Sequence, residues 1–183
     1  VKNEVGKMDK ALRAKNIIVE IIRQAGGSIT STIRIYKAFY AAHLYYADYL
    51  SSWPIVRMPL GPGIDEGDEL LAELATTGII QISHEPVGPY LATKYALTSE
   101  ELPSEPLSEE AVRAIQKATQ WVQKHTATEL SNFTHEYSRS WRTTENGREL
   151  NIYVDTIPEE EFSQRKRSLR LLRSKIELLS RRI

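Results

Sequence analysis

The sequence predicts a mainly α-helical fold with one small β-hairpin and an added C-terminal helix. Three observations support this class. Apolar residues recur at helical spacing over most of the chain, whereas near residue 80 they alternate with polar residues, as in a strand. The last part of the chain repeats Leu and Ile every three or four positions. We therefore expect poor order over residues 1–8, one domain over 9–157 with a hairpin at 79–98, and a basic amphipathic helix over 158–183.

The composition is typical of a globular protein and is compatible with a reducing cytoplasm. Of its 183 residues, 41% are hydrophobic and 26% are charged, which is sufficient for a real core. The absence of cysteine excludes disulfides, thiol catalysis and zinc-thiolate sites. No apolar run has the form of a signal peptide or the length needed to span a bilayer. We expect a cytoplasmic protein without a membrane partner.

Charge is distributed unevenly along the chain. The formal net charge is zero, yet residues 165–183 contain eight Arg or Lys residues and a single Glu. This segment therefore carries +7 and the rest of the chain −7. The sequence describes an acidic body with a basic tail.

Two N-terminal helices are predicted to supply much of the core. The first begins at Asp9 as its N-cap and ends at a pair of glycines. The second, about residues 31–50, is apolar on two sides, which is typical of a buried central helix. We expect Tyr40, His43 and Tyr46 to be largely buried, with His43 as a hydrogen-bonded core residue.

The following segment has the order of a winged-helix domain. Residues 51–63 are rich in Pro and Gly and are predicted to be a rigid connector. Residues 65–77 have helical spacing, and Gly78 ends that helix. A strand, a turn at 85–89 and a second strand through Leu97 follow. Helix, glycine and hairpin together predict a winged-helix-like unit.

The charges of this unit argue against DNA binding through its helix. The helix before the wing normally enters the major groove, but here it contains five carboxylates and no Lys or Arg: Asp65, Glu66, Asp68, Glu69 and Glu73. Nonspecific affinity for DNA comes from Lys and Arg, so this helix would repel the backbone. The wing adds only Lys94, opposed by Glu85. We expect no nucleic-acid contact through the helix before the wing.

The C-terminal half is predicted to be mostly helical. Ser108 can cap one helix, and Thr126 begins a capping box that opens another. Residues 136–156 are predicted to be a loop with a short strand at 152–154. Pro158 can occupy the first turn of the last helix.

No pattern typical of a catalytic or cofactor site is present. The four histidines do not have a metal-ligand spacing: His43, His84, His125 and His135. The sequence also has no phosphate-binding glycine loop, nucleophile elbow or dinucleotide fingerprint. We predict a protein that is not an enzyme, with no catalytic residue, cofactor or metal.

The last helix is the strongest candidate for partner binding. An apolar seam at heptad spacing is flanked by basic residues, and we predict that these residues bind a partner: Leu169, Leu172, Ile176, Leu179, Arg165, Arg170 and Arg173. The seam either docks on the protein's own body or pairs with a partner or a second copy, which would make a homodimer. The basic flank would favour an acidic surface, including the body of another protomer.

Residues 37–43, 58–63 and 129–135, the last followed by Trp141, together resemble the Panacea domain, the family of SocA-like antitoxins and phage-associated proteins. Residues 37–43, Lys-Ala-Phe-Tyr-Ala-Ala-His, are similar to its opening motif, and residues 58–63 approach its Tyr-Gly-Pro-Val motif. Residues 129–135, with the Trp that follows, match its Glu-Leu-Ser-x-x-Thr-His motif. Leu60 stands where the family has an aromatic residue. The matching motif residues are Tyr40, His43, Gly61, Pro62, Glu129, Leu130, Thr134, His135 and Trp141.

The resemblance implies an interaction module without catalysis. Members of this family neutralise a toxin encoded beside them, and SocA acts as an adaptor that delivers its toxin to a protease. We therefore expect an antitoxin of a toxin–antitoxin system, whose partners are a cognate toxin and, for the adaptor route, a protease. The alternative is a winged-helix transcriptional regulator that touches DNA through its basic C-terminal helix.

Overall fold

The computed structural model describes residues 2–46, 50–102 and 106–180, with the side chains of 2–8, 169 and 171–180 left out. The described chain is mainly helical with small antiparallel sheets, as the sequence predicts. The helices are α1 Lys2–Gln24, α2 Thr32–Tyr45, α3 Gly67–Thr76, α4 Glu109–Gln123, α5 Ala127–Tyr137, α6 Arg139–Thr143, α7 Tyr153–Thr156 and α8 Glu159–Ser180. The strands are β1 Ser28–Thr30, β2 Ile55–Met58, β3 Gly61–Ile64, β4 Ile80–Val87 and β5 Tyr90–Leu97.

The strands form two separate antiparallel sheets. One has the order β1-β5-β4, in which Ile29 pairs with Tyr95 and Ile82 pairs with the same Tyr95 on its other side. The second is the hairpin of β2 and β3, in which Arg57 pairs with Pro62. The first sheet lies at the ends of α1 and α3, whereas the second packs against α2.

The core is built round α2, which packs against α1, α4, α5 and β3. Nine consecutive residues of α2, from Ile35 to His43, are buried. A helix buried on all sides must be apolar on all sides, as the sequence of this segment indicates. Tyr40 and His43 are buried as expected, whereas Tyr46 follows the end of the helix and is only half-buried.

Several local signals are confirmed at the residues that carry them. Gly78, with φ of +77°, follows α3, and β4 and β5 form the expected hairpin within residues 79–98. The Ser108 side chain accepts a hydrogen bond from the Ala111 N–H at the start of α4. Thr126 and Glu129 form a complete capping box at α5. These signals succeed because each depends on neighbours within a few residues.

Four local expectations are wrong. Residues 51–63 are not a plain connector, because they contain the β2–β3 hairpin. Residues 136–156 contain α6 and α7 in place of the loop, and no strand lies at 152–154. Helix α2 ends at Tyr45, five residues before the expected end. Asp9 lies inside α1 and does not cap it, because the helix begins at Lys2. The poor order expected for residues 1–8 stays a prediction.

Candidate protein-interaction site

Two side chains, Lys37 and Thr134, pack closely against the hairpin of β2 and β3 beside its turn. Gly61 has φ of +106°, a region that an L-residue rarely adopts. A Cβ at Gly61 would collide with the Thr134 hydroxyl and the Lys37 ammonium group. Glycine is therefore required here both by the backbone and by the close approach of α2 and α5. The neighbouring Leu60 is about half exposed at the tip of the turn.

Lys37 is a buried amine beneath this turn. Its side chain is 2% exposed, and Nζ donates a hydrogen bond of 2.9 Å to the carbonyl oxygen of Pro62. Burial lowers the pKa of Lys37 from 10.5 to about 7, because the charged amine loses its hydration. The amine thus joins α2 to β3.

A stack of three side chains supports the other side of the turn. The rings of His135 and Trp141 are parallel with centroids 4.0 Å apart, and the Arg57 guanidinium carbon lies 4.5 Å from the Trp141 ring centroid. Trp141 Nε1 donates to the carbonyl oxygen of Met58 at 2.8 Å. Burial lowers the pKa of His135, and its Nε2 atom is buried without a hydrogen-bond partner among the described residues.

The three motif stretches therefore meet in space around one turn. Gly61 and Pro62 begin β3 directly after the turn, Thr134 and His135 approach from α5, and Trp141 completes the cluster from α6. Of the remaining motif residues, Leu130 is fully buried and Glu129 is exposed in the capping box of α5. The motif residues are mainly structural in position.

Tyr40 belongs to a polar network that fixes α7 to the helical body. Its hydroxyl donates to Asp155 Oδ2 at 2.7 Å, and the hydroxyls of Ser138 and Ser140 donate to the same oxygen. The Ser140 N–H donates to Asp155 Oδ1 at 2.9 Å. Burial, followed by the nearby Asp155 charge, raises the pKa of Tyr40.

His43 lies at the wall of a cavity of about 420 Å³ between α2, β2 and the segment before α7. Its Nδ1 is 2.8 Å from the Phe39 carbonyl oxygen, which can only accept, so Nδ1 carries the hydrogen. Nε2 therefore accepts from the Ser51 hydroxyl at 2.7 Å. Burial lowers the pKa of His43 to about 4. The ring is a neutral, fully hydrogen-bonded core residue, as the sequence indicates.

A second cavity, of about 290 Å³, opens between α2, α4 and α5 and is lined mainly by aromatic side chains. We define the aromatic surface as Tyr45, Trp121, Phe133 and Tyr137. Phe133 makes an edge contact with Trp121 at 5.3 Å and a tilted contact with Tyr137 at 4.5 Å. Tyr45 and Tyr137 are each almost 60% exposed, and Phe133 is 47% exposed. These rings present one nearly continuous apolar area to solvent.

The exposed side of α3 is strongly acidic. We define the acidic face as Glu66, Asp68, Glu69 and Glu73, all of which are exposed. Asp68 accepts a hydrogen bond of 2.6 Å from the Tyr36 hydroxyl, and Glu73 forms an ion pair with Lys15. Asp68 also lies at the rim of a largely apolar cavity of about 360 Å³.

The hairpin of β4 and β5 ends in an apolar tip. Val87, Tyr90 and Leu91 are each more than half exposed. Lys94 forms an ion pair with Glu85 at 3.2 Å, so its positive charge is opposed by this carboxylate, as the sequence predicts. The hairpin offers hydrophobic contacts and little positive charge.

The basic partner-binding residues predicted for the C-terminal helix lie on α8. Arg165 and Arg170 are exposed, and Arg165 forms an ion pair with Glu161. The side chains of the other predicted residues lie outside the described part of the chain: Leu169, Leu172, Arg173, Ile176 and Leu179.

Sequence reasoning missed the aromatic surface and the buried amine. Trp121 lies on α4, whereas Phe133 and Tyr137 lie on α5. Their rings form one surface only because the two helices are neighbours, and no local sequence pattern predicts that. A lysine in an apolar helix could have been noticed, since lysine is almost never fully buried without a partner.

Comparisons with family models, curated proteins and solved structures gave no significant match. No group of three or more metal-binding side chains occurs in the described part of the chain. Among the helices of the same residues, none has both the length and the apolar character required to cross a membrane.

Proposed function

We propose that this protein is an antitoxin that neutralises a cognate toxin by binding it directly, without catalysis. The observation that carries the proposal is the aromatic surface of Tyr45, Trp121, Phe133 and Tyr137. The likeness of three motif stretches to the Panacea domain gives the kind of partner, a toxin encoded beside it. Delivery of the bound toxin to a protease is one route of neutralisation, and simple occlusion is the other.

Burying exposed aromatic rings against a partner is favourable, because it removes apolar surface from water. Tyr and Trp are enriched among the residues that dominate binding energy, because each supplies a large rigid area at a small entropic cost. Phe133 and Tyr137 lie one helical turn apart on α5, and Trp121 adds its ring from α4. The cavity of about 290 Å³ beside them has room for one or two large side chains of a partner.

The aromatic surface is supported by rigid neighbours. Helix α5 begins with a complete capping box, and Ser138 at its end is bonded to Asp155 at 2.9 Å. Tyr40 lines the same cavity and is bonded to the same carboxylate. A surface held in this way loses little conformational entropy on binding.

The test is co-expression with the neighbouring gene product. A toxic neighbour whose effect on growth is relieved by this protein, and which co-purifies with it, is the expected result. The double variant Phe133→Ala/Tyr137→Ala should lose both rescue and co-purification while retaining the parent's melting temperature within a few degrees. Tyr90→Ala on the hairpin tip, 75% exposed and outside the aromatic surface, is the matched control and should rescue fully.

Two results would contradict this proposal. A neighbour that is harmless when expressed alone removes the basis for an antitoxin. A toxic neighbour that still binds the Phe133→Ala/Tyr137→Ala variant with the parent's affinity removes the aromatic surface as the site.

A second candidate function is transcriptional regulation by a winged-helix-like protein. The order of α1, β1, α2, α3 and the β4–β5 hairpin, with β1 paired to β5, supports such an arrangement. Arg165, Lys166 and Arg167 are exposed on α8 and could meet a phosphate backbone. The acidic face of α3 disfavours the usual docking of that helix in a groove.

A further inference from the structure

The first turns of helix α8 contact the body through Arg139. The Arg139 guanidinium bonds Glu159 at 3.2 Å and lies 4.6 Å from the Phe162 ring centroid. From 164 to 168, every residue is exposed. Successive helical residues are rotated by about 100°, so five in a row point to all sides of the helix. This stretch of α8 therefore has exposed residues on every side of the helix.

The sequence of α8 is that of a docking helix. Phe162 is followed by Leu and Ile at heptad spacing as far as Ile183, with basic residues between them. Residues 164–180 span about 25 Å at 1.5 Å per residue, which is long enough to reach across a neighbouring molecule. A seam of about three heptads is marginal as a free coiled coil and is stabilised by a preformed apolar groove.

The body offers a groove of complementary chemistry. Beside the acidic face lies the cavity of about 360 Å³, whose wall is largely apolar and includes Ile33, Met58 and the half-exposed Leu60. Asp68 lies at its rim, and Glu69 follows on the same exposed side of α3. Apolar side chains of a helix could enter this cavity while its Lys and Arg residues meet the carboxylates.

We infer that α8 of one copy docks on the acidic face and adjoining cavity of a second copy, giving a reciprocal dimer. Charge complementarity selects this occupant, because the +7 segment and the −7 remainder belong to the same chain. Residues 164–168 are exposed in the single chain, so a second copy can reach them. The contact does not use the aromatic surface, so this dimer and toxin binding are separate claims.

The decisive experiment is a charge exchange between two full-length variants. The first, Lys166→Glu/Arg167→Glu, lowers the net charge of residues 165–183 from +7 to +3, and the second, Glu69→Lys/Glu73→Lys, changes the net charge of the acidic face from −4 to zero. All four side chains are exposed, but Glu73→Lys also removes the ion pair with Lys15, so circular dichroism melting must show that each variant is folded before its mass is measured. The matched control Arg113→Glu/Lys124→Glu makes the same charge change as the first variant, within α4 and at its C-cap.

Molecular mass is measured by sedimentation equilibrium at low ionic strength. The parent and the control should be dimers, each charge variant alone should have a dimer dissociation constant at least tenfold higher, and their equimolar mixture should restore a mixed dimer. Raised salt should weaken the parent dimer, because both surfaces are solvated.

Any one of three outcomes would overturn the inference. The first is a parent that is a monomer at all concentrations, and the second is a dimer that survives in both variants. The third is a mixture that fails to associate although each variant is folded. Survival in both variants would instead indicate pairing of two α8 helices or of another surface. None of these results bears on rescue from a toxin, so failure of the dimer leaves the proposed antitoxin function standing.

Discussion

The Nζ atom of Lys37 lies 2.9 Å from the carbonyl oxygen of Pro62, and this contact joins the centre of α2 to β3. The amine is buried and its pKa is lowered to about 7 by desolvation. It fixes the turn that carries Leu60, which lines the cavity proposed to receive α8. Lysine side chains usually lie at the protein surface, whereas Lys37 is buried and connects two elements of the core.

The buried amine predicts that stability rises with pH between about 7 and 10.5. In this window the unfolded chain protonates Lys37, whereas the folded chain keeps it largely neutral, so raising the pH removes a cost of folding. The free energy of unfolding from urea titrations should rise between pH 7.5 and 9.5, by at most about 1.4 kcal/mol per pH unit from this group.

Lys37→Met is the matched variant, since it keeps the length of the side chain and cannot titrate. Its free energy of unfolding should change less with pH than that of the parent. At pH 9 it should be lower than the parent's by about 1–3 kcal/mol, because the Pro62 carbonyl loses its donor. Measurements stop at pH 9.5, since the raised pKa values of Tyr36, Tyr40 and Tyr95 oppose the trend near pH 10. Equal slopes in parent and variant would mean that Lys37 is charged in the fold.

Removal of the Tyr40 ring should be strongly destabilising. The side chain is 4% exposed, and Tyr40→Ala deletes a core aromatic, which costs about 3–5 kcal/mol. Tyr40→Phe keeps the ring and removes one donor from Asp155, with an expected loss of about 1.5–3 kcal/mol. Both values come from chemical denaturation, and a Tyr40→Ala protein that melts like the parent would contradict the central position of α2.

Gly61→Ala should be far more costly than the same change in another turn. The new Cβ would meet Lys37 and Thr134, and the backbone at φ of +106° disfavours any L-residue. Backbone strain and overpacking together predict that the free energy of unfolding falls by about 2–6 kcal/mol. Gly88→Ala, at φ of +58° with open space around it, is the control and should cost about 1–2 kcal/mol, the cost of the left-handed conformation alone. Similar melting temperatures for the two variants would show that the turn adjusts freely.

Helix α3 should not bind in a DNA groove. Its acidic face would repel phosphates, so Glu69→Lys should raise binding to a labelled duplex and not reduce it. Any affinity of the parent should require the basic residues from Arg165 to Arg173 and should fall steeply with salt in fluorescence anisotropy. A footprint or crystal structure with residues 65–77 in a groove would show this prediction to be wrong.

The candidate sites divide between what the sequence indicated and what it did not. The acidic face and the basic heptad helix were readable, because charge and heptad spacing are properties of consecutive residues. The aromatic surface was not readable, since Trp121 and Phe133 lie on different helices whose packing brings their rings to 5.3 Å. The Asp155 network was also missed, as it joins Tyr40 to residues more than ninety positions away.

The sequence by itself determined the mainly helical class, the β4–β5 hairpin, and the caps at Ser108, Thr126 and Gly78. Each depends on torsional preference and hydrogen bonds within a few residues, which a linear pattern contains. Only the tertiary structure decided that residues 55–64 pair as strands, that residues 139–143 are helical, and that Lys37 is buried. These outcomes follow from contacts between segments far apart in the chain, where packing outweighs local propensity.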